Sequence, residues 1–142
     1  MVDYKKYMDK NRPKPNLLKN GSISFVVGGL IGVLGQGLID LYVSFDLPKD
    51  DAQSLMLVTL ILVTALLTGF GVYDYFGDFA GAGGFVPITG FSNAMTSAAL
   101  EGRSEGITLG IGANMFKLAG SVIDLGVTSA YIVGVIRYIF FM

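Results

Sequence analysis

The 142-residue sequence contains no cysteine and no histidine. These absences exclude a disulfide framework, thiol catalysis, a Ser-His-Asp triad, a histidine pH switch and zinc sites with Cys or His ligands. Only oxygen atoms remain as metal ligands, from acidic side chains, amides and backbone carbonyls. Usable Ser-Xaa-Xaa-Lys and P-loop patterns are missing as well. We therefore expect no enzyme, no cofactor and no resident metal.

Charge is also scarce. Charged residues make up 15% of the chain, against about 25% in a typical soluble domain. Hydrophobic residues make up 52%, and the mean hydropathy is +0.61. Together these values exclude a soluble globule and a disordered chain, and they predict a membrane protein. Glycine is the one residue type in clear excess, with 20 residues, about twice the average share of roughly 7%.

The basic residues are concentrated at the N-terminus. Residues 1–20 contain six Lys or Arg and two Asp, which leaves a net charge of +4. A short basic segment before an apolar run is the positive-inside signature. We therefore predict a cytoplasmic tail, residues 1–20, followed by a single membrane domain, residues 21–142. Nucleic-acid binding is disfavoured because the rest of the chain offers no soluble binding surface.

Two uncharged runs predict membrane-spanning helices. Residues 21–39 would form a helix of about 28 Å, close to the roughly 30 Å hydrocarbon core. Residues 52–73 form the second run, and Tyr73 and Tyr75 are interpreted as interface residues at its end. Gly28, Gly32 and Gly35 share one face of the first helix, a pattern typical of close helix packing.

A glycine-rich segment follows. Four of the eight residues 77–84 are glycine, which disfavours a helix there, and a short helix is predicted over residues 91–100. Irregular backbone at membrane depth is tolerated only where it is buried in protein or lines a water-filled cavity. We therefore favour a broken or re-entrant helix over an interfacial loop with an amphipathic helix, and we expect residues 74–93 to be functional. The candidate hinge residues are Gly77, Gly81, Gly83, Gly84, Pro87 and Gly90.

The last segment, residues 107–142, would be about 54 Å long as one helix, so it must tilt, project or break. Gly112, Gly120 and Gly126 are candidate breaks. Six polar residues recur at steps of three and four, which places them on one helical face; they are Asn114, Lys117, Ser121, Asp124, Thr128 and Tyr131. We call this face the polar stripe. It indicates either an interhelical clamp or a substrate path, and we favour the path because charges inside membranes are usually functional.

Lys117 and Asp124 are about 10.5 Å apart along the helix axis, too far for a direct ion pair. Lys117 therefore needs an acid from another segment; the candidates are Asp40, Asp74, Asp78 and Glu105.

Positive-inside logic with Arg137 favours an even number of crossings and a cytoplasmic C-terminus, which a true re-entrant loop would reverse. A 15.1 kDa chain is too small to enclose a path alone, so we expect a homo- or hetero-oligomer.

The predicted fold class is an all-α integral membrane protein. It has two clear transmembrane helices, a Gly-rich broken or re-entrant helix, and a long polar-striped C-terminal transmembrane helix. The predicted substrate path consists of Asp78, Asn114, Lys117, Ser121, Asp124 and Thr128.

Several stretches resemble the SpoVA family. They include the run Phe-Ala-Gly-Ala-Gly at 79–83, Thr-Gly-Phe at 89–91 with Asn93, and Asn-Met-Phe-Lys-Leu-Ala-Gly at 114–120, and matches extend over nearly the whole chain. The resemblance implies a protein of the spore inner membrane. It further implies movement of dipicolinate with calcium, into the developing spore and out at germination, with tension-dependent gating. Implied partners are other SpoVA subunits of the AD and AE types.

This resemblance brings no ligand residues with it, so the predicted mechanism rests on the stripe. Lys117 and the N-terminus of the helix after Pro87 are expected to attract carboxylates. Asp78 and Asp124 are expected to hold calcium transiently. The hinge is expected to move as the bilayer thins. Two alternatives are a non-conducting scaffold that anchors a soluble dipicolinate-binding partner and an ion-coupled carrier.

Overall fold

The computed structural model describes residues 16–141, which form helices joined by short turns, without strands. The helices are α1 (Leu17–Val43), α2 (Lys49–Gly69), α3 (Val72–Ala80), α4 (Ala82–Phe85), α5 (Ile88–Gly102) and α6 (Ala113–Phe141). A 3₁₀ turn (Arg103–Glu105) and a π-helical segment (Ile107–Gly112) join α5 to α6. Three segments are long and apolar enough to cross a membrane, namely α1, α2 and Ile107–Phe140. The predicted fold class is therefore confirmed.

Helices α1 and α2 form a hairpin. The Asn16 side chain caps α1 by accepting a hydrogen bond from the Lys19 N–H at 3.3 Å. Gly35 lies at the contact between the two helices, where a Cβ would be in ordinary van der Waals contact with the Met56 Sδ at 3.5 Å. The Tyr42 and Thr59 hydroxyls are joined by a 2.7 Å hydrogen bond. Helix α1 begins within the predicted tail, of which residues 1–15 lie outside the described part of the chain.

The second span ends earlier than predicted. Gly71 adopts a φ of 72°, a left-handed conformation that glycine tolerates at no steric cost, and it separates α2 from α3. Tyr73 is buried in α3, and its hydroxyl donates a 2.8 Å hydrogen bond to the Gly84 carbonyl. Its assignment as an interface residue is therefore wrong, whereas Tyr75 is exposed.

The glycine-rich segment is broken at one residue only. Gly81, with a φ of 55°, ends α3, and α5 begins directly after Pro87. The expectation that residues 77–84 resist helix formation is wrong for Gly77, Gly83 and Gly84, which lie in α3 and α4.

These helical glycines serve close packing. A Cβ at Gly77 would lie 2.8 Å from the Phe85 ring, and a Cβ at Gly84 would lie 2.9 Å from the Ala80 Cβ. A Cβ at Gly90 would overlap the backbone of Phe85. Their helical propensity is poor, but a larger residue would force the neighbouring atoms to shift, and at Gly90 those atoms belong to the backbone.

The last segment, Ile107–Phe140, is one continuous helix that changes from π-helical to α-helical geometry after Gly112. The π-helical segment ends at Gly112, whereas Gly120 and Gly126 lie inside a continuous helix and are not breaks. Helix α5 packs along α2, and the start of α6 packs back on α5, where Gly102 and Gly110 bring the two backbones together. From residue 120 to residue 140 every side chain of α6 is exposed. No described element covers this half of the helix.

Candidate functional site

The N-terminal half of the polar stripe, from Asn114 to Ser121, lines a cleft between α5 and α6. This cleft has a volume of about 500 Å³ and is lined by Ala98, Glu101, Asn114, Lys117, Leu118 and Ser121. We call it the stripe cleft. It therefore brings three of the predicted path residues together: Asn114, Lys117 and Ser121.

The stripe cleft contains a cation, an acid, an amide and a hydroxyl. The Lys117 and Glu101 side chains are exposed. The Ser121 hydroxyl donates its proton to the Leu118 carbonyl at 2.8 Å, so it presents oxygen lone pairs to the cleft. Asn114 packs beside Gly102, where a Cβ would lie 2.7 Å from its amide nitrogen. Lys117 is the one cation among the residues that line this cleft.

The C-terminal half of the stripe lies outside this cleft. Asp124, Thr128 and Tyr131 are exposed on the uncovered half of α6. In a single copy these groups would face lipid, although charged residues in membranes almost always face a bundle interior or a water-filled cavity. No described element of the chain covers these three side chains.

Asp78 occupies a different cleft. This second cleft has a volume of about 470 Å³ and lies between the start of α1 and the α3–α4 junction, with Asn20, Ser24 and Gly81 among its lining residues. Asp78 and Asp124 lie on different helices, α3 and α6. The described residues contain no group of three or more acidic side chains able to hold a metal.

A third cleft, of about 410 Å³, lies at the start of α5. It is lined by Ser24, Phe25, Gly28, Gly29, Ala82, Gly83, Val86 and Pro87. Helix α5 has Pro87 at its N-terminal boundary and no side-chain cap there, so its first N–H groups carry the partial positive charge of the helix dipole. Of the predicted packing glycines, Gly28 contacts Gly83 and Gly35 contacts α2, whereas Gly32 faces open space.

A buried polar seam between α2 and α5 was not predicted as a unit. It consists of Thr64, Thr68, Thr89, Ser92 and Asn93, all of them buried. The Ser92 hydroxyl donates to the Ile61 carbonyl at 2.9 Å. The Thr68 hydroxyl lies 2.8 Å from both the Thr64 carbonyl and the Asn93 side-chain oxygen. The spacing of these residues, three or four apart on each helix, was the available sequence signal.

A model of the SpoVAC/SpoVAEB sporulation membrane protein family matches residues 20–136. The chain belongs to this family. Stage V sporulation protein AC of Bacillus subtilis (strain 168) is 54% identical over 139 residues, which cover 97% of this chain and 93% of the relative. No solved structure matches the chain.

Membership of the SpoVAC/SpoVAEB family confirms the resemblance that the sequence motifs indicated. The matched range, residues 20–136, contains the stripe cleft, the second cleft and the buried polar seam. The family description and the three membrane-spanning segments agree on a multi-pass sporulation membrane protein. The description names no reaction, so nothing in it points to an enzyme.

The seam predicts two opposite responses to the same substitution. Thr68→Val should lower the free energy of unfolding by about 1–2 kcal/mol, because it removes a bonded hydroxyl and takes this donor away from the buried Asn93 side-chain oxygen. Thr89→Val should be neutral or stabilising, because the buried Thr89 hydroxyl has no hydrogen-bond partner among the described residues. Thermal unfolding in detergent measures the stability of both variants relative to the native chain. Equal losses for the two variants would contradict this account of the seam.

Proposed function

We propose that this protein is a subunit of a conduit that moves dipicolinate and calcium across the spore inner membrane. It would serve uptake during sporulation and release at germination. The observation that carries the proposal is the polar stripe, which lies on a helix long enough to cross the membrane and is left half uncovered by its own chain. Family membership supports the setting, a sporulation membrane.

The conduit requires more than one chain. Placing Lys or Asp at the centre of a lipid-facing helix costs about 2.5–3.5 kcal/mol per residue on insertion scales. Lys117 and Asp124 would incur this cost unless other chains and enclosed water cover the stripe. A second surface is also open for association, because a Cβ at Gly29, Gly32 or Gly37 on α1 would meet nothing within 4 Å. The partners are further copies, or SpoVA subunits of the AD and AE types.

The chemistry of the path follows from its residues. Lys117 and the uncapped N-terminus of α5 attract carboxylates, one by full charge and the other by the helix dipole. Asp78 and Asp124 contact calcium transiently, each together with ligands from other chains. Weak contacts spread along a path suit conduction better than one tight site. Gating would use the break at Gly81, which responds when the bilayer thins under tension.

Reconstitution tests the proposal. The purified protein, alone and with its SpoVA partners, is placed in liposomes loaded with calcium dipicolinate, and release is followed under osmotic tension. A conduit gives tension-dependent, non-saturable release. A silent bilayer with firm binding of the soluble partner would indicate the scaffold instead, and saturable, gradient-driven uptake would indicate the carrier.

The N-terminus is proposed to lie on the cytoplasmic or core side. The three long segments alone would put the C-terminus on the opposite side, so the even number of crossings proposed here requires α3–α5 to cross as a fourth segment, which returns the C-terminus to the side of the N-terminus. Single cysteines at Ser104 and Met142 test this, because the native chain has none. An impermeant thiol reagent added outside intact vesicles of cytoplasm-inside orientation should label Ser104→Cys and spare Met142→Cys. Labelling of both sites, or of Met142→Cys alone, would contradict this topology.

A further inference from the structure

The π-helical segment Ile107–Gly112 lies directly before the polar stripe. Segments of this kind are rare and occur frequently at functional sites. Its first carbonyl, that of Gly106, accepts hydrogen bonds from two N–H groups, Gly110 at 3.2 Å and Ile111 at 3.0 Å. The first bond has the spacing of an α-helix and the second that of a π-helix. Both helical registers are therefore represented at this one carbonyl.

Contacts with α5 hold the wide turn in place. Gly110 lies against Gly102 so closely that a Cβ at residue 110 would overlap the Gly102 carbonyl. Upstream, Gly106 has a φ of 92°, which ends the preceding turn in a conformation suited to glycine. At the other end the Ala113 N–H reaches the Thr108 carbonyl, again with π spacing. The segment is thus anchored to α5 at Gly110.

Tightening this segment to an α-helix would turn α6 relative to α5. An α-helix has 3.6 residues per turn, so a change of one residue in register rotates the following helix by about 100° and shifts it by about 1.5 Å. The residues that now line the stripe cleft from α6 include Asn114, Lys117 and Ser121. Their neighbours one position later are Met115, Leu118 and Val122, and one position earlier are Ala113, Phe116 and Gly120.

Both neighbouring sets lack charge and polar side chains. Rotation in either direction therefore replaces a lining of amide, ammonium and hydroxyl groups with an apolar one. An apolar constriction closes a path to ions by excluding water. We propose that the π-helical segment Ile107–Gly112 is a register switch, which turns either the polar stripe or an apolar face of α6 toward α5.

The consequence for conduction rests on the proposed function, but the register itself can be measured without any flux. Ala98→Cys on α5 is combined in turn with a cysteine at Gly120, Ser121 or Val122, three adjacent positions at nearly one depth. A short bifunctional thiol reagent then reports which position faces α5 in the full chain in liposomes. In the native segment, the pair with Ser121→Cys should cross-link fastest.

Gly110→Ala displaces the segment from Gly102 and should move the fastest cross-link to residue 120 or residue 122. Deleting Ile111 in that variant removes the extra residue of the wide turn and should restore residue 121. Gly126→Ala is the matched control, since a Cβ there meets nothing within 4 Å, and it should leave residue 121 fastest. If residue 121 stays fastest in Gly110→Ala, the switch is disproved, whatever the flux experiments show.

A second measurement needs no change in the segment and covers the case in which Gly110→Ala does not fold. The three double-cysteine chains are compared in lipids of long and short acyl chains, since bilayer thickness acts on helix tilt and position. A switch predicts that the ratio of cross-linking at residue 121 to that at its neighbours changes with thickness. An unchanged ratio in all lipids would show a fixed register.

Discussion

Replacing Lys117 by methionine is expected to lower dipicolinate flux about 10- to 100-fold without changing the amount of protein in the membrane. Lys117 is the one cation among the residues that line the stripe cleft. Hydrogen bonds to charged groups contribute about 1.5–3 kcal/mol, and each 1.4 kcal/mol corresponds to a factor of ten. Methionine keeps a long flexible side chain but removes the charge and all three donors.

Dipicolinate content and release at germination, measured in a spore-former that carries the variant, check this expectation. Lys19→Met is the matched control: it removes the same charge from an exposed lysine of α1 that lies outside the stripe cleft. Normal content and release with Lys117→Met, at a normal protein level, would remove Lys117 from the path. A loss of protein from the membrane would instead assign it a role in assembly.

Gly83→Ala is expected to be among the most destabilising single substitutions in the chain. Its Cβ would overlap the Ser24 carbonyl oxygen and lie 2.9 Å from the Ser24 Cα. Backbone atoms of a helix cannot move aside as a flexible side chain can, so α4 must separate from α1. Overpacking of this kind costs about 1–3 kcal/mol. The separation would also strain the 3.1 Å hydrogen bond from the Ser24 hydroxyl to the Ala80 carbonyl.

The matched control is Gly32→Ala on α1, where a Cβ would meet nothing within 4 Å. Alanine favours a helix over glycine by about 1 kcal/mol, so this variant should be neutral or more stable. Thermal unfolding in detergent compares the two. Equal midpoints would mean that the contact between α4 and α1 does not support the fold, and the packing role of Gly83 would have to be abandoned.

The membrane spans were predictable because each is a local property of the chain. Uncharged runs of about 20 residues mark helices that a bilayer can hold, and α1, α2 and the segment Ile107–Phe140 bear this out. The break near Gly81 was also predictable, since clustered glycine together with proline disfavours a continuous helix. The polar stripe was readable from its spacing, because residues three and four apart share a helical face.

The roles of individual glycines were not predictable in this way. Gly81 and Gly83 lie two positions apart in one motif, but one breaks the backbone and the other packs on Ser24. Gly28 and Gly32 appeared equivalent on one face, but within residues 16–141 a Cβ at Gly28 would meet a neighbour and a Cβ at Gly32 would not. Composition records how many glycines there are, whereas their function depends on which atoms lie opposite.

Composition and periodicity by themselves determined that this is a helical membrane protein, where its spans lie, and which face of the last helix is polar. These properties follow from burying apolar side chains and satisfying backbone hydrogen bonds within each segment. Only the tertiary structure decided that Lys117 shares a cleft with Asn114 and Ser121 while Asp78 lies in another. It also decided that a π-helical segment, in which Gly110 packs against Gly102, directly precedes the stripe. Such contacts join residues of different helices, and they depend on how closely the backbones approach rather than on any local pattern.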